Sequence, residues 1–210
     1  MANAGLRERK KQRTRQLIAD TAARLFGEYG YEHVAVSDVA RAAEVSEPTV
    51  YNYFPTKQQL VLDRDEELRD RLTQLIRARS PGVSPAAALR QEALGFVDGI
   101  RSIPADQTRG GLGYLAAISP TVRRLSLEMT DRIADAIAVA LADTTTNLSM
   151  PSAKVHAIAL AWVFQTITDE TGRRSLEGQH PTQIADDLGP IIEGIIDELD
   201  RWPTVELDLP

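Results

Sequence analysis

Apolar residues recur along this chain at the three- and four-residue spacing of amphipathic helices. The first such run ends at Gly30, a common helix C-terminal signal, and comprises Leu17, Ile18, Thr21, Ala22, Leu25, Phe26 and Tyr29. Later runs predict helices over 84–101, 109–118, 120–143, 151–172 and 181–202. No segment alternates with a period of two for long enough to predict a strand. The pattern therefore predicts an all-α protein.

A short helix is predicted just after Ser46, whose hydroxyl can cap free backbone amides. Pro48 falls in the first turn, where a missing N–H costs nothing, and Phe54-Pro55 ends the helix because a residue before proline is pushed out of the helical region. Upstream, a helical run leads through Glu44-Val45-Ser46, about the 3–4 residues that join the two helices of a helix-turn-helix. The segment is therefore predicted to be a helix-turn-helix.

The next predicted helix begins at Thr56, with Gln59 placed to complete a capping box. Apolar positions continue its pattern until Ser80-Pro81, and they include Leu60, Val61, Leu68, Leu72, Leu75 and Ile76. One continuous helix from 56 to about 78 is therefore expected to connect the two parts of the molecule.

Residues 7 to 62 resemble the TetR family of transcriptional regulators. The resemblance rests on many positions that agree in order and spacing: the basic arm, Thr14 to Tyr29, Gly30-Tyr31, Ser37-Asp38-Val39-Ala40, Val45-Ser46, Thr49-Val50-Tyr51, Tyr53-Phe54-Pro55-Thr56-Lys57 and Leu60. The chain departs from the family pattern at Val34-Ala35, at Glu44, where glycine is frequent, and at Glu47. The resemblance implies a three-helix helix-turn-helix DNA-binding domain (1–55) and a helical ligand-binding and dimerisation domain (56–210). We therefore expect a DNA-binding regulator that acts as a repressor and that a small, largely apolar ligand releases. Because one short helix contacts too few base pairs to be specific, we expect a homodimer on a palindromic operator.

The first turns of a recognition helix reach base edges, so the DNA contacts are expected around this helix and the elements before and after it. Asn52 can pair with adenine and Glu47 can accept from cytosine N4, whereas the hydroxyls of Thr49 and Tyr51 suit phosphates. Lys57 begins a helix, where a cation calls for a nearby anion, and Tyr53 is expected in the core. The predicted DNA-binding residues are Arg13, Thr14, Ser37, Ser46, Glu47, Pro48, Thr49, Tyr51, Asn52 and Lys57.

Charge is distributed unevenly along the chain, whose net charge is −6. Residues 1–57 carry a net +2 and the remainder a net −8, and residues 7–15 contain six basic side chains against one acidic. A basic tail by itself serves solubility, but one placed directly before a helix-turn-helix favours contact with phosphate.

The last two predicted helices carry more apolar surface than one bundle can cover. Residues 155–167 are apolar nearly all round the helix, and residues 184–202 form an isoleucine-rich face with Gly189 and Gly194. A buried central helix with a C-terminal lid is one interpretation. The TetR resemblance favours the other, a homodimer interface formed by both segments.

Bulky side chains with polar neighbours suggest a ligand pocket in the second domain. Each of them taken singly is better explained by core packing, but as a group they suit a mostly apolar pocket with a few polar groups. The candidates are Phe96, Ile100, Tyr114, Met129, Trp162, Gln165 and Thr166.

Composition excludes several other classes of function. The 210 residues include no cysteine, so disulfides and thiolate sites are absent, and His33, His156 and His180 lack the spaced partners of a zinc site. The glycine pattern at 111–116 follows no strand and is read as accidental. No apolar run approaches a membrane span, so we expect a cytoplasmic protein without cofactor or catalytic centre. The alternative is a helical small-molecule carrier or enzyme whose N-terminal helices are structural.

Overall fold

The computed structural model describes residues 2–63 and 65–202, and all regular structure within them is helical, as the pattern predicts. The predicted domains, 1–55 and 56–210, include Met1, Arg64 and residues 203–210, which lie outside the described residues. The helices of the described part are α1 (Ala2–Tyr29), α2 (Val36–Ala42), α3 (Glu47–Tyr53), α4 (Asp65–Ala78), α5 (Pro85–Ile100), α6 (Leu112–Ile118), α7 (Pro120–Thr144), α8 (Met150–Leu176) and α9 (Pro181–Asp200), with 3₁₀ helices at Lys57–Leu60 and Ala105–Gly110.

The expected continuous helix from 56 to 78 is interrupted, and this prediction was wrong. Thr56 and Gln59 form the predicted capping box, but it starts only the four-residue 3₁₀ helix Lys57–Leu60. A turn follows, and α4 begins at Asp65 with three acidic residues in its first turn, which the helix dipole favours. Leu60 packs with the N-terminal helices, whereas Leu72 packs with the C-terminal helices. Tertiary packing therefore divides a segment whose apolar pattern is that of one continuous helix.

Buried side chains form two clusters. We call residues 2–60 the head and residues 65–202 the body. The body cluster draws on α4, α5, α7, α8 and α9. The head cluster contains α1 to α3 and Leu60, and it also takes in side chains from the body, namely Leu115 and Ala116 of α6 and Val122 and Leu125 of α7. The head is therefore packed directly on the body.

Two glycines let head and body backbones touch. A Cβ at Gly27 of α1 would lie 2.7 Å from the carbonyl carbon and oxygen of Arg109, and a Cβ at Gly110 would lie 2.6 Å from the carbonyl oxygen of Ala23. Real side chains do not approach backbone atoms that closely. This crossing therefore requires glycine at both positions.

None of the helices in the described residues combines the length and apolar character needed to cross a membrane.

Candidate DNA-binding surface

Helix α3 has one buried side and one exposed side. Val50 is fully buried in the head, whereas Glu47, Pro48, Tyr51 and Asn52 are exposed. The exposed residues at the start of α3 can therefore enter a DNA groove, while Val50 fixes the helix to the core of the head. Tyr53 packs half-buried against the head cluster, in agreement with its predicted core role.

Ser46 begins α3 in the way the sequence predicts. Its Oγ accepts a hydrogen bond from the Thr49 amide at 3.2 Å, and the two hydroxyl oxygens lie 2.7 Å apart. The Thr49 hydroxyl is therefore held at the start of the helix before any partner arrives. The other free amides at the start of α3 have no partner within the helix and point along its axis, away from its C-terminal end.

Ser37 is exposed in the first turn of α2. Asp38 beside it accepts hydrogen bonds from the Ala35 amide and from the Arg41 guanidinium, each at 2.9 Å. Arg41 is therefore already paired on the surface that carries Ser37, and that surface is close to electrically balanced.

The basic arm is the first part of α1 rather than a separate tail. Arg13 is exposed on this helix, and Thr14 donates a hydrogen bond from Oγ1 to the Lys10 carbonyl at 3.0 Å. Arg15 differs from its neighbours because its guanidinium points into the protein, donating to the Asp63 carbonyl at 2.9 Å. Nothing in the sequence distinguishes Arg15 from the other basic residues of the arm, because its partner is 48 residues away.

Lys57 is partly engaged within the head. Its Nζ donates to the Tyr31 carbonyl at 2.6 Å and lies 4.2 Å from the centre of the Tyr31 ring. Burial lowers the pKa of this ammonium group from its ordinary value. An ammonium group has three donors, so one bond to Tyr31 leaves others for an anion.

A contact between the head and α7 was not anticipated from the sequence. The Ser119 hydroxyl, which caps α7 by accepting from the Val122 amide at 3.1 Å, donates a hydrogen bond to the Glu32 carboxylate. This bond lowers the pKa of Glu32, with a further contribution from Thr121. Ser119-Pro120 is a helix-start signal in the sequence, but nothing local indicates that Ser119 also contacts Glu32, 87 residues away.

The seven candidate pocket residues do not come together. Successive residues are about 100° apart around a helix, so Trp162 and Phe164 of α8 face opposite ways. Phe96 contacts the Phe164 ring edge-on at 5.6 Å, whereas Trp162 is 42% exposed on the other side with Thr166 one turn further on. Tyr114 packs against the head cluster, and Ile100 and Met129 are buried in the body cluster.

Gln165 is occupied by other protein groups. This side chain is buried, its Oε1 accepts from the hydroxyls of Ser126 and Thr130, and its Nε2 donates to Asp169 at 2.7 Å. A small cavity of about 10 Å³ lies elsewhere in the body and is lined by Pro85, Ala86, His156, Leu160, Leu199 and Trp202. It holds at most about one water molecule.

The outer faces of α8 and α9 are apolar. Val155, Ile158 and Trp162 are exposed along α8, and Ile191 is exposed on α9 beside Ile195. A Cβ at Gly189 or Gly194 would meet no atom of the described chain within 4 Å. In contrast, Leu160, Phe164 and Ile167, on the other side of α8, are buried in the body.

Among the described residues, no group of three or more histidine or acidic side chains could hold a metal ion.

Comparisons with known proteins identify a family match and several relatives. Residues 18–63 match the sequence model of bacterial regulatory proteins of the TetR family. The chain is 33% identical over 85 residues to the HTH-type transcriptional regulator TcmR of Streptomyces glaucescens, a match of 40% of this chain and 38% of the relative. It is 40% identical over 72 residues to the HTH-type transcriptional regulator BetI of Agrobacterium fabrum, covering 32% of this chain and 35% of the relative. Both relatives are regulators rather than enzymes, and the matched segment spans little more than a third of either.

The fold is shared over a greater length. The solved structure of NalD, the secondary repressor of the MexAB-OprM multidrug efflux pump in Pseudomonas aeruginosa, superposes with a TM-score of 0.57 over 96% of this chain and 100% of that chain. The two sequences are 17% identical, so this likeness concerns the arrangement of helices.

Proposed function

We propose that this chain, a member of the TetR family of bacterial regulatory proteins by its residues 18–63, is a dimeric DNA-binding transcriptional regulator. It represses its targets, and a small, largely apolar molecule releases it from a palindromic operator. The observation that carries this proposal is α3, which buries Val50 in the head and exposes Glu47, Tyr51 and Asn52. A helix held in this way can place its first turns in the major groove.

The proposed contacts divide between bases and phosphates. Asn52 pairs with adenine and Glu47 accepts from the amino group of cytosine, because these side chains complement those base edges. Ser37, Ser46, Thr49 and Tyr51 bond phosphates, together with Arg13, Thr14 and Lys57, and Pro48 packs against the groove wall. The capped Ser46–Thr49 pair supports this division, since it holds a hydroxyl at the N-terminal end of α3.

The proposed dimer interface is formed by residues 155–167 and 184–202 of two copies. Its support is the exposed apolar surface of Val155, Ile158, Trp162 and Ile191, which a soluble monomer would leave in water. A single short helix reads too few base pairs to be specific. Two copies would read half-sites about one helical turn, ~34–36 Å, or a multiple of it, apart.

Release by ligand requires a route from body to head. The predicted continuous helix over 56–78 is interrupted and cannot transmit the change. Side chains of α6 and α7 pack into the head cluster, and we propose that they provide the route. We place the effector site on the side of α5 and α8 that carries the Phe96–Phe164 contact, with Trp162 and Thr166 assigned to the interface instead. A ligand releases DNA only if it binds the DNA-incompetent arrangement more tightly.

A salt-dependent gel shift with DNA from the protein's own promoter region tests this function. Specific binding that weakens steeply as salt rises is the expected result, because phosphate contacts release counterions. Apolar compounds identified by thermal shift are then titrated with and without operator. By linkage an effector binds more weakly in the presence of operator, so equal affinity in both titrations removes a compound from consideration.

A further inference from the structure

Arg15 lies in the basic arm but makes one contact within the head and two with Asp63 in the linker, which we define as residues 61–64 between head and body. Its Nη2 donates to the Asp63 carbonyl at 2.9 Å, and its Nη1 lies 3.5 Å from the Asp63 carboxylate. The carbon at the centre of its guanidinium lies 4.6 Å from the centre of the Phe54 ring. A planar guanidinium has several donors in one rigid fork and a flat face that can stack on a ring, a geometry that the single nitrogen of an ammonium group does not reproduce.

These contacts join three elements. Phe54 directly follows α3 as its C-cap residue, is 1% exposed, and donates a hydrogen bond from its amide to the Val50 carbonyl at 2.8 Å. Asp63 lies in the turn between the 3₁₀ helix and α4. One side chain of α1 therefore contacts both the end of the recognition helix and the linker to the body.

The charge of Arg15 is balanced locally. The side chain of Asp63 is 24% exposed and that of Arg15 is 40% exposed, so the pair is partly shielded from water. Arg13, two residues earlier on the same helix, is exposed. Two neighbouring arginines of one basic segment thus have different surroundings.

We infer that Arg15 is a positioning residue for DNA binding, which fixes α1 and the linker turn against the end of α3, while Arg13 carries a charge available to phosphate. This inference rests on the proposed function. With Arg15 in place, the basic face of α1 and the exposed face of α3 are held at one angle. Without Arg15, the basic face of α1 and the exposed face of α3 are no longer held in the orientation that lets both contact the same DNA duplex.

The test measures operator affinity against salt for Arg15→Ala, Arg15→Lys and Arg13→Ala. Arg15→Ala should weaken operator binding roughly tenfold at every salt concentration, as expected for a lost contact within a network. Its slope of log affinity against log salt should equal that of wild type. Arg13→Ala should reduce the slope of log affinity against log salt by about one, the value for one phosphate contact. Arg15→Lys keeps the charge but should not restore the affinity.

Asp63→Ala separates positioning from simple electrostatics. Removing an acidic group near DNA and freeing Arg15 should tighten binding if Arg15 served as a phosphate contact. Asp63→Ala keeps the backbone carbonyl that accepts from Arg15 at 2.9 Å and removes only the carboxylate 3.5 Å away. Positioning therefore predicts affinity no higher than that of wild type, with an unchanged slope. Each variant is assayed below its own unfolding midpoint, and Arg15→Lys and Asp63→Ala provide the answer if Arg15→Ala does not fold.

The inference is overturned if Arg15→Ala lowers the slope as Arg13→Ala does, if Arg15→Lys binds like wild type, or if Asp63→Ala binds more tightly. In all three cases wild-type protein still binds its promoter DNA. Wild-type protein that binds no promoter DNA rejects the proposed function itself, so the two failures are distinct.

Discussion

Glu44, in the turn between α2 and α3, adopts a left-handed backbone conformation with φ of 55°. An L-residue with a Cβ pays about 1–2 kcal/mol for this conformation, whereas glycine adopts it freely. Glu44 therefore stores backbone strain in the turn directly before α3.

Glu44→Gly should raise the free energy of unfolding by about 0.5–1 kcal/mol. Glycine relieves the backbone strain, but part of this gain is lost because glycine has more conformational entropy in the unfolded chain. Glu44→Ala is the matched control, because it removes the same charge but keeps the Cβ. Urea unfolding measures both. Equal stability of the glycine and alanine variants would show that the turn is not strained.

Asn52 is the exposed residue of α3 best suited to read a base. Asn52→Ala should lose about 1–3 kcal/mol of discrimination at one base pair of the operator while binding to other sequences stays nearly constant. Affinities for a set of single-base operator variants measure this. An equal loss on every DNA sequence would place Asn52 on phosphate.

The residues of the helix-turn-helix could be predicted because their signals are local. Ser46, Pro48 and Phe54-Pro55 act on the backbone within a few residues, and the structure has the predicted cap and helix end. Arg15 and Trp162 could not be placed in this way. The contact of Arg15 with Asp63 depends on the fold, and the direction of Trp162 depends on which side of α8 packs on the body.

The crossing of α1 over the 3₁₀ helix Ala105–Gly110 depends on direct backbone contact at Gly27 and Gly110. Gly27→Ala should lower the free energy of unfolding by about 1–3 kcal/mol, because a Cβ there would overlap the Arg109 carbonyl. Gly95→Ala in α5 is the control, since its Cβ would meet nothing within 4 Å and helix propensity favours alanine by up to ~1 kcal/mol. Two variants of equal stability would contradict the crossing.

The bond from Ser119 to Glu32 fastens the head to the start of α7. Because the Ser119 hydroxyl lowers the pKa of Glu32 below its ordinary value of 4.5, the bond stabilises the fold above that pH. This contribution is lost as the pH falls through the lowered folded-state pKa. The acidic limb of the stability curve should therefore report on this contact.

Glu32→Gln should be less stable than wild type at neutral pH, and the difference should shrink as the pH falls below about 4.5. Glu28→Gln, which breaks a surface pair with Arg24, controls for the loss of one carboxylate. Urea unfolding over this pH range gives the measurement. A constant difference between wild type and Glu32→Gln would mean that Glu32 does not act through its charge.

The helical elements themselves were predictable from periodicity, but the break between Leu60 and α4 was not. The apolar spacing of Leu60, Leu68 and Leu72 is the same whether they share one core or two. Only the packed structure assigns Leu60 to the head and Leu72 to the body. The acidic run Asp65-Glu66-Glu67 is compatible with a new helix start, but the same residues are equally acceptable within one continuous helix.

The exposed apolar faces of α8 and α9 predict a dimer. Trp162→Glu combined with Ile191→Glu should give a folded monomer with weakened operator binding, because both side chains are exposed in one copy and their charges would be buried against the second. Val139→Glu introduces the same charge at an exposed apolar position of α7 outside the proposed interface, and should stay dimeric. Light scattering distinguishes the species. A double variant that remains a DNA-binding dimer would place the interface elsewhere.

In the proposed function, α3 recognises a particular DNA sequence. Fluorescence anisotropy with a labelled promoter fragment and a shuffled duplex of the same length and composition tests it most directly. Wild-type protein should prefer the promoter fragment by at least about 10³-fold at physiological salt, and both affinities should fall as salt rises. Equal affinity for the two duplexes at every salt concentration would contradict it.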